Sequence, residues 1–148
     1  ISYGWNRIVL VNGHGGNIPA LGEVAARVSR AEEALVVPFT WFDAAETDLA
    51  MGHAGPLETS LLLHTYPDLV DQERFDEAVA SGSDRWGEWV SGTNIAHDPA
   101  EFTDNGTVGD PNTASAVEGE ALLVSAADAL VDLLAAVEDA SLDKPLHK

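Results

Sequence analysis

The stretch Asn12–Gly13–His14–Gly15–Gly16–Asn17 follows a short apolar run and sets one histidine among three glycines. In an open parallel α/β sheet, ligands bind beyond the carboxyl ends of the strands. Glycines at such an end let the backbone bend and let a ligand approach closely. His14 in that place can be a metal ligand, a base, or the polar residue of a tight turn. A phosphate loop fails on spacing: a G-x-G-x-x-G fingerprint would need glycine at 18, where Ile18 stands, and no Gly-Lys-Ser/Thr follows.

A second cluster, "GHAGPLETS", spans Gly52–Ser60. His53 precedes a helix start and Glu58 lies in the first turn. Taken singly, Glu58 complements the helix dipole and His53 is a loop histidine. A second histidine cluster at an apparent strand end favours a shared site over two coincidences. The third stretch, "GTVGDP" at Gly106–Pro111, holds an Asp-Pro helix-entry pair and carries no chemistry by itself. His64 and His97 have no such surroundings and read as surface or helix residues.

These residues need elements to hold them. Arg7–Asn12 is apolar and β-branched and predicts a strand buried on both faces. A helix follows, with Asn17 as N-cap and Pro19 in its first turn. Leu21, Val24, Ala25 and Val28 form its inner face and Arg27 and Arg30 lie outside. Ala34–Phe42 reads as a second strand interrupted at Pro38, so the three make a βαβ unit with parallel strands. Pro56 opens a helix that runs to Leu63 or Tyr66 and stops at Pro67. A polar helix occupies about Gln72–Ala80, and the glycine-rich, aromatic stretch from Ser81 to Asn112 reads as functional or lid-like. A strongly apolar helix closes the chain from about Thr113 to Asp139, built on Ala121, Leu122, Val124, Ala129, Leu130, Leu133, Leu134 and Val137. The tail from Ser141 reads as frayed.

The chain of 148 residues is 45% hydrophobic, enough for one folded domain with a core. No uninterrupted apolar run reaches the length of about 18 residues that a membrane span needs. No secretory signal pattern is visible, so a cytoplasmic protein is expected. The first residue is Ile1 and not Met, so the chain is expected to begin inside a longer protein. Cysteine is absent, which leaves histidine and carboxylates as the metal ligands. Twenty-five acidic against 7 basic residues give a net charge of −18, and Lys144 and Lys148 are the only lysines. Such a surface repels nucleic acid and anionic membranes, and fits a salt-rich cytoplasm where screening tolerates self-repulsion.

Taken together, "NGHGGN", "HAGPLETS" and "NGTVGDP…EGEALL" resemble the creatininase (creatinine amidohydrolase) family, in order and separation. The resemblance spans nearly the whole chain and about the C-terminal three-fifths of a usual member. It implies a three-layer α/β/α fold around a mainly parallel sheet. It also implies a pair of divalent metals, zinc with manganese or iron, and hydrolysis of non-peptide C–N bonds in cyclic amides or formamides. Many members are hexamers, so a homo-oligomer is expected. By the same resemblance His14 is a metal ligand, Glu58 a second ligand, and His53 the acid/base beside a metal-activated water. Gly15, Gly16, Asn17 and Trp41 become substrate-binding candidates. Trp41, Trp86 and Trp89 either cover a planar substrate or serve packing.

The family's N-terminal metal motif, of the form Glu-x-His-Gly, has no match here, so the domain is read as incomplete at its N-terminal side. Members that act on creatinine carry a glutamate two places after the motif histidine. Gly16 stands there, which argues against creatinine. A formylamino-pyrimidine nucleotide deformylase is one alternative and an inactive fragment with an oligomer role another. A nucleotide-binding turn lacks basic residues, since Arg7 lies at the far end of the strand.

If the acidic surface is a salt adaptation, the thermal midpoint should rise steadily as KCl goes from about 0.1 M to about 2 M, because screening relieves self-repulsion. A midpoint that is flat or falls over that range, measured by calorimetry, would contradict the salt-adapted reading.

Overall fold

The computed structural model describes residues 1–31, 33–96 and 98–143. They form two compact units, one of residues 1–46 with 125 onward, the other of residues 47–124. His97 and the two lysines lie outside the described residues, as does the tail from 144.

The first unit holds strand β1 (Arg7–Asn12), helix α1 (Ile18–Ala31), strand β2 (Leu35–Thr40) and a short helix α2 (Trp41–Ala44). β1 and β2 pair in parallel, from Arg7 opposite Leu35 to Asn12 opposite Thr40. This is the βαβ unit of an α/β fold, and its register brings the ends of both strands to one corner. Pro38 sits inside β2, opposite Leu10, and does not interrupt it. Among the described residues the sheet has two strands, so β2 is an edge strand, the setting in which a missing N–H is tolerated. For the same reason β1 is not buried on both faces: Ile8, Val9 and Leu10 are half-buried and Val11 is exposed.

Asn17 does not cap α1. A 3-10 turn over Gly15–Asn17 runs directly into the helix, and the Asn17 amide turns back to Asn12. Ala25 is the buried residue of α1, with Leu21 and Val28 half-buried, while Val24 is exposed and not on the inner face. Ser29 ties α1 to β2, its Oγ accepting the Val36 N–H at 2.8 Å. The Arg7 guanidinium donates to the carbonyls of Val137 (2.9 Å) and Ala140 (2.8 Å), closing the last turn of the terminal helix with a cation, as its exposed carbonyls favour.

That helix, α5 (Ala116–Asp139), begins in the second unit and ends in the first. The second unit also holds α3 (Pro56–Thr65), α4 (Phe75–Ala80) and the strands β3 (Trp89–Val90) and β4 (Thr93–Asn94). β3 and β4 form a tight hairpin whose turn residues, Ser91 and Gly92, both have positive φ, the backbone that suits the strand twist. The stretch expected to be lid-like therefore contains a hairpin, followed by a 3-10 turn capped by Asp98 and Glu101. Leu57, Leu63, Val108 and Leu122 are the buried apolar residues here, with Ser60 fully buried among them. No helix among the described residues is long and apolar enough to cross a membrane.

The start of α5 meets α3 backbone to backbone. A Cβ on Gly119 would overlap the Ser60 carbonyl oxygen, and the Ser60 Oγ accepts the Ser115 N–H at 3.1 Å. Gly119→Ala should cost about 3 kcal/mol, as overpacking of a tight contact does. An unchanged denaturation midpoint would mean that α3 and α5 do not approach this closely.

Candidate active site

Two clusters hold the candidate residues, one in each unit. In the first, the buried Asn12 ends β1 opposite Thr40. Its side chain bonds both backbone groups of His14, accepting the N–H at 3.1 Å and donating to the carbonyl at 3.0 Å. His14 is extended, and the next three residues form the 3-10 turn, closed by the Asn17 N–H donating to the His14 carbonyl at 3.1 Å. The imidazole lies over Gly16, where a Cβ would stand 2.8 Å from His14 Nε2. Gly13 faces Trp41 across the corner, with Trp41 Nε1 3.9 Å from a Cβ built there. The structure thus brings His14, Gly16, Asn17 and Trp41 to one βα corner. Around Gly15 a Cβ would meet open space, so packing does not explain that glycine.

In the second cluster, His53 and Val108 exchange both backbone hydrogen bonds, at 2.9 and 2.8 Å. Val108 is buried and is bridged on its other side by Ser83. The loop around His53 folds onto the Val108 carbonyl: a Cβ on Gly52 would overlap that oxygen, and one on Gly55 would stand 2.9 Å from it. Ala54 takes a left-handed φ of 49° and donates its N–H to Glu58 Oε2 at 2.7 Å. The same oxygen faces His53 Nδ1 at 3.7 Å. His53 and Glu58 are therefore brought together, the histidine half exposed and the carboxylate more covered. Trp86 stands beside the His53 ring, centroids 6.0 Å apart, and Phe102 backs Trp86 edge-on at 6.2 Å.

Sequence reasoning did not single out Asn12, Val108, Ser60 or Gly119. The signal for Asn12 was its place at the strand end directly before the glycine-flanked histidine. Gly106–Pro111, read as a turn without chemistry, carries the backbone that holds His53. A cavity of about 410 Å³ opens nearby, walled by Ala54, Thr59, Leu62, Phe75 and Pro111. Neither His53 nor Glu58 lines it.

Imidazole and carboxylate suit zinc or manganese in chemical type. Their number does not complete a centre: among the described residues, no three His, Asp or Glu side chains gather as metal ligands, whereas stable zinc sites take three or four protein ligands.

Comparison with known proteins points one way. Residues 1–134 match the family model described as creatininase, creatinine amidohydrolase. A mycofactocin precursor peptide peptidase of Mycolicibacterium smegmatis is 36% identical over 128 residues, covering 86% of this chain and 48% of that protein. A crystal structure of creatinine amidohydrolase superposes with a TM-score of 0.67 at 27% identity, over 95% of this chain and 59% of the other. A manganese creatininase and a Zn–Zn type creatininase variant superpose at 0.63 and 0.62, each 28% identical over 90% of this chain and 57% of theirs. The chain spans about half the length of the curated relatives it matches.

Gly52→Ala places a methyl group against the Val108 carbonyl. It should release the His53–Val108 bridge and cost about 2 kcal/mol, seen as lost exchange protection at both amides. Full protection at His53 in that variant would remove the glycine from the construction of the loop.

Proposed function

The chain belongs to the creatininase family, and from that premise we propose that it forms part of a metal-dependent amidohydrolase that cleaves the C–N bond of a cyclic amide or formamide with water. The observation that carries the reading is the His53–Glu58 pair, 3.7 Å apart, the histidine on a loop built onto the Val108 backbone and the glutamate in the first turn of α3. A histidine so mounted is a proton donor in a fixed place. His14 and Glu58 are each offered as a donor to divalent metal, zinc with manganese or iron, with ligands outside the two clusters completing the coordination. Such ions lower the pKa of a bound water and polarise an amide carbonyl.

The chain's own residues have these roles. His53 protonates the departing nitrogen as a positioned general acid. Glu58 faces the Nδ1 edge of its ring, which leaves Nε2 to meet the substrate. Gly15, Gly16, Asn17 and Trp41 share the βα corner with His14 and meet the substrate there, Gly15 leaving open space for close approach. A homo-oligomer in the cytoplasm, with no nucleic-acid or membrane partner, accords with the acidic composition and with the family. A peptide C–N bond is the second reading, favoured by the Mycolicibacterium smegmatis relative, a peptide peptidase.

His14→Ala should reduce bound metal, measured by elemental analysis. Undiminished metal in that variant would defeat its ligand role. His53→Ala should keep the metal and lower kcat about 100-fold or more on a panel of cyclic amides, formamides and peptides. Near-normal turnover would exclude it as the proton donor, and the preferred member of the panel decides between the two substrate readings.

A further inference from the structure

We infer that Asn12 is the positioning residue of His14, and that Gly16 completes the mount by leaving a seat for the imidazole. Asn12 is 3% exposed, and its amide meets four groups. Oδ1 accepts the His14 N–H at 3.1 Å and the Asn17 Nδ2 at 3.3 Å. Nδ2 donates to the His14 carbonyl at 3.0 Å and to Thr40 Oγ1 at 3.2 Å. That fills the two-donor, two-acceptor capacity of an asparagine. The orientation is set by His14 itself, because an acceptor must face its N–H and a donor its carbonyl.

The consequence is specific to His14. A residue gripped at both backbone groups cannot rotate about its own peptide planes, so its Cα–Cβ direction is fixed. The other two bonds fix the grip to the end of β2 and to the turn that opens α1. The ring then lies over Gly16, where any side chain would sit 2.8 Å from Nε2 and push it away. Aspartate has the same shape as asparagine but no donors, so it fails towards the His14 carbonyl and buries a charge.

The meaning of this mount for catalysis rests on the proposed ligand role of His14. The positional claim does not, and the experiment separates them. Its readouts are the His14 amide exchange rate, the three-bond coupling that reports the His14 φ, and those that report its χ1 rotamer, in Asn12→Ala, Asn12→Asp and Gly16→Ala. Ser29→Ala is the control, since Ser29 Oγ also accepts a backbone N–H in the same unit, from Val36, away from His14. Asn12→Ala should speed exchange at His14 about tenfold or more, the effect of losing one hydrogen bond to a backbone group, and move the φ coupling away from that of the extended backbone seen here. Asn12→Asp should also shift the φ coupling. Gly16→Ala should keep the amide protected and move the ring to a different single rotamer. Ser29→Ala should lower stability and leave His14 unchanged. An unshifted His14 φ coupling in folded Asn12→Ala or Asn12→Asp would overturn the inference, as would equal disturbance of His14 by Ser29→Ala. Zinc competition against a chromophoric chelator then reads the ligand role separately: His14→Ala without effect on zinc defeats that role and leaves the mount standing.

Discussion

His53 is held in place by the backbone of a residue far along the chain. The antiparallel bridge with Val108 uses both main-chain groups of the histidine, so its position does not depend on its own side chain. Such a bridge requires two segments to approach at backbone distance, and side chains obstruct that. Hence the glycines on either side of the His53–Ala54 pair, with Gly109 packed against Gly55 and Pro56. Hence also Gly119, which lets α5 close on α3 beside the buried Ser60. At Gly52 and Gly55, beside His53, a Cβ does not fit.

His14 is mounted by a different device. Its corner is built at the ends of two parallel strands, where strand register alone brings Asn12 level with Thr40. There the gripping group is a side chain, the Asn12 amide. Buried polar groups must find partners, and Asn12 has found four. The corner is thus specified by hydrogen bonding, whereas the His53 loop is specified by steric room.

These two devices explain what the sequence revealed and what it concealed. The βαβ unit was legible because apolar runs and helical spacing are local patterns; the second strand is shorter than its apolar run, ending at Thr40 where Trp41 and Phe42 turn into α2. Pro38 misled because its effect depends on whether a strand is at an edge, which is a property of the sheet. The exposed Val11 and Val24 misled for the same reason: amphipathic spacing shows which face can be buried, not how much of the sheet is present to cover it. Asn17 misled because a 3-10 turn satisfied the helix start before a cap was needed. The His53–Glu58 pairing was legible from its place at a helix start. Its dependence on Val108 was not, since the two lie 55 positions apart and meet only in the fold.

The central proposal is that His14 and Glu58 each act as a ligand to divalent metal. X-ray absorption at the zinc edge of the zinc-loaded protein tests it most directly. The account predicts a mixed shell that includes imidazole nitrogen at about 2.0–2.1 Å and carboxylate oxygen at about 2.0–2.2 Å. A shell of oxygen alone, with no imidazole scattering, would contradict it.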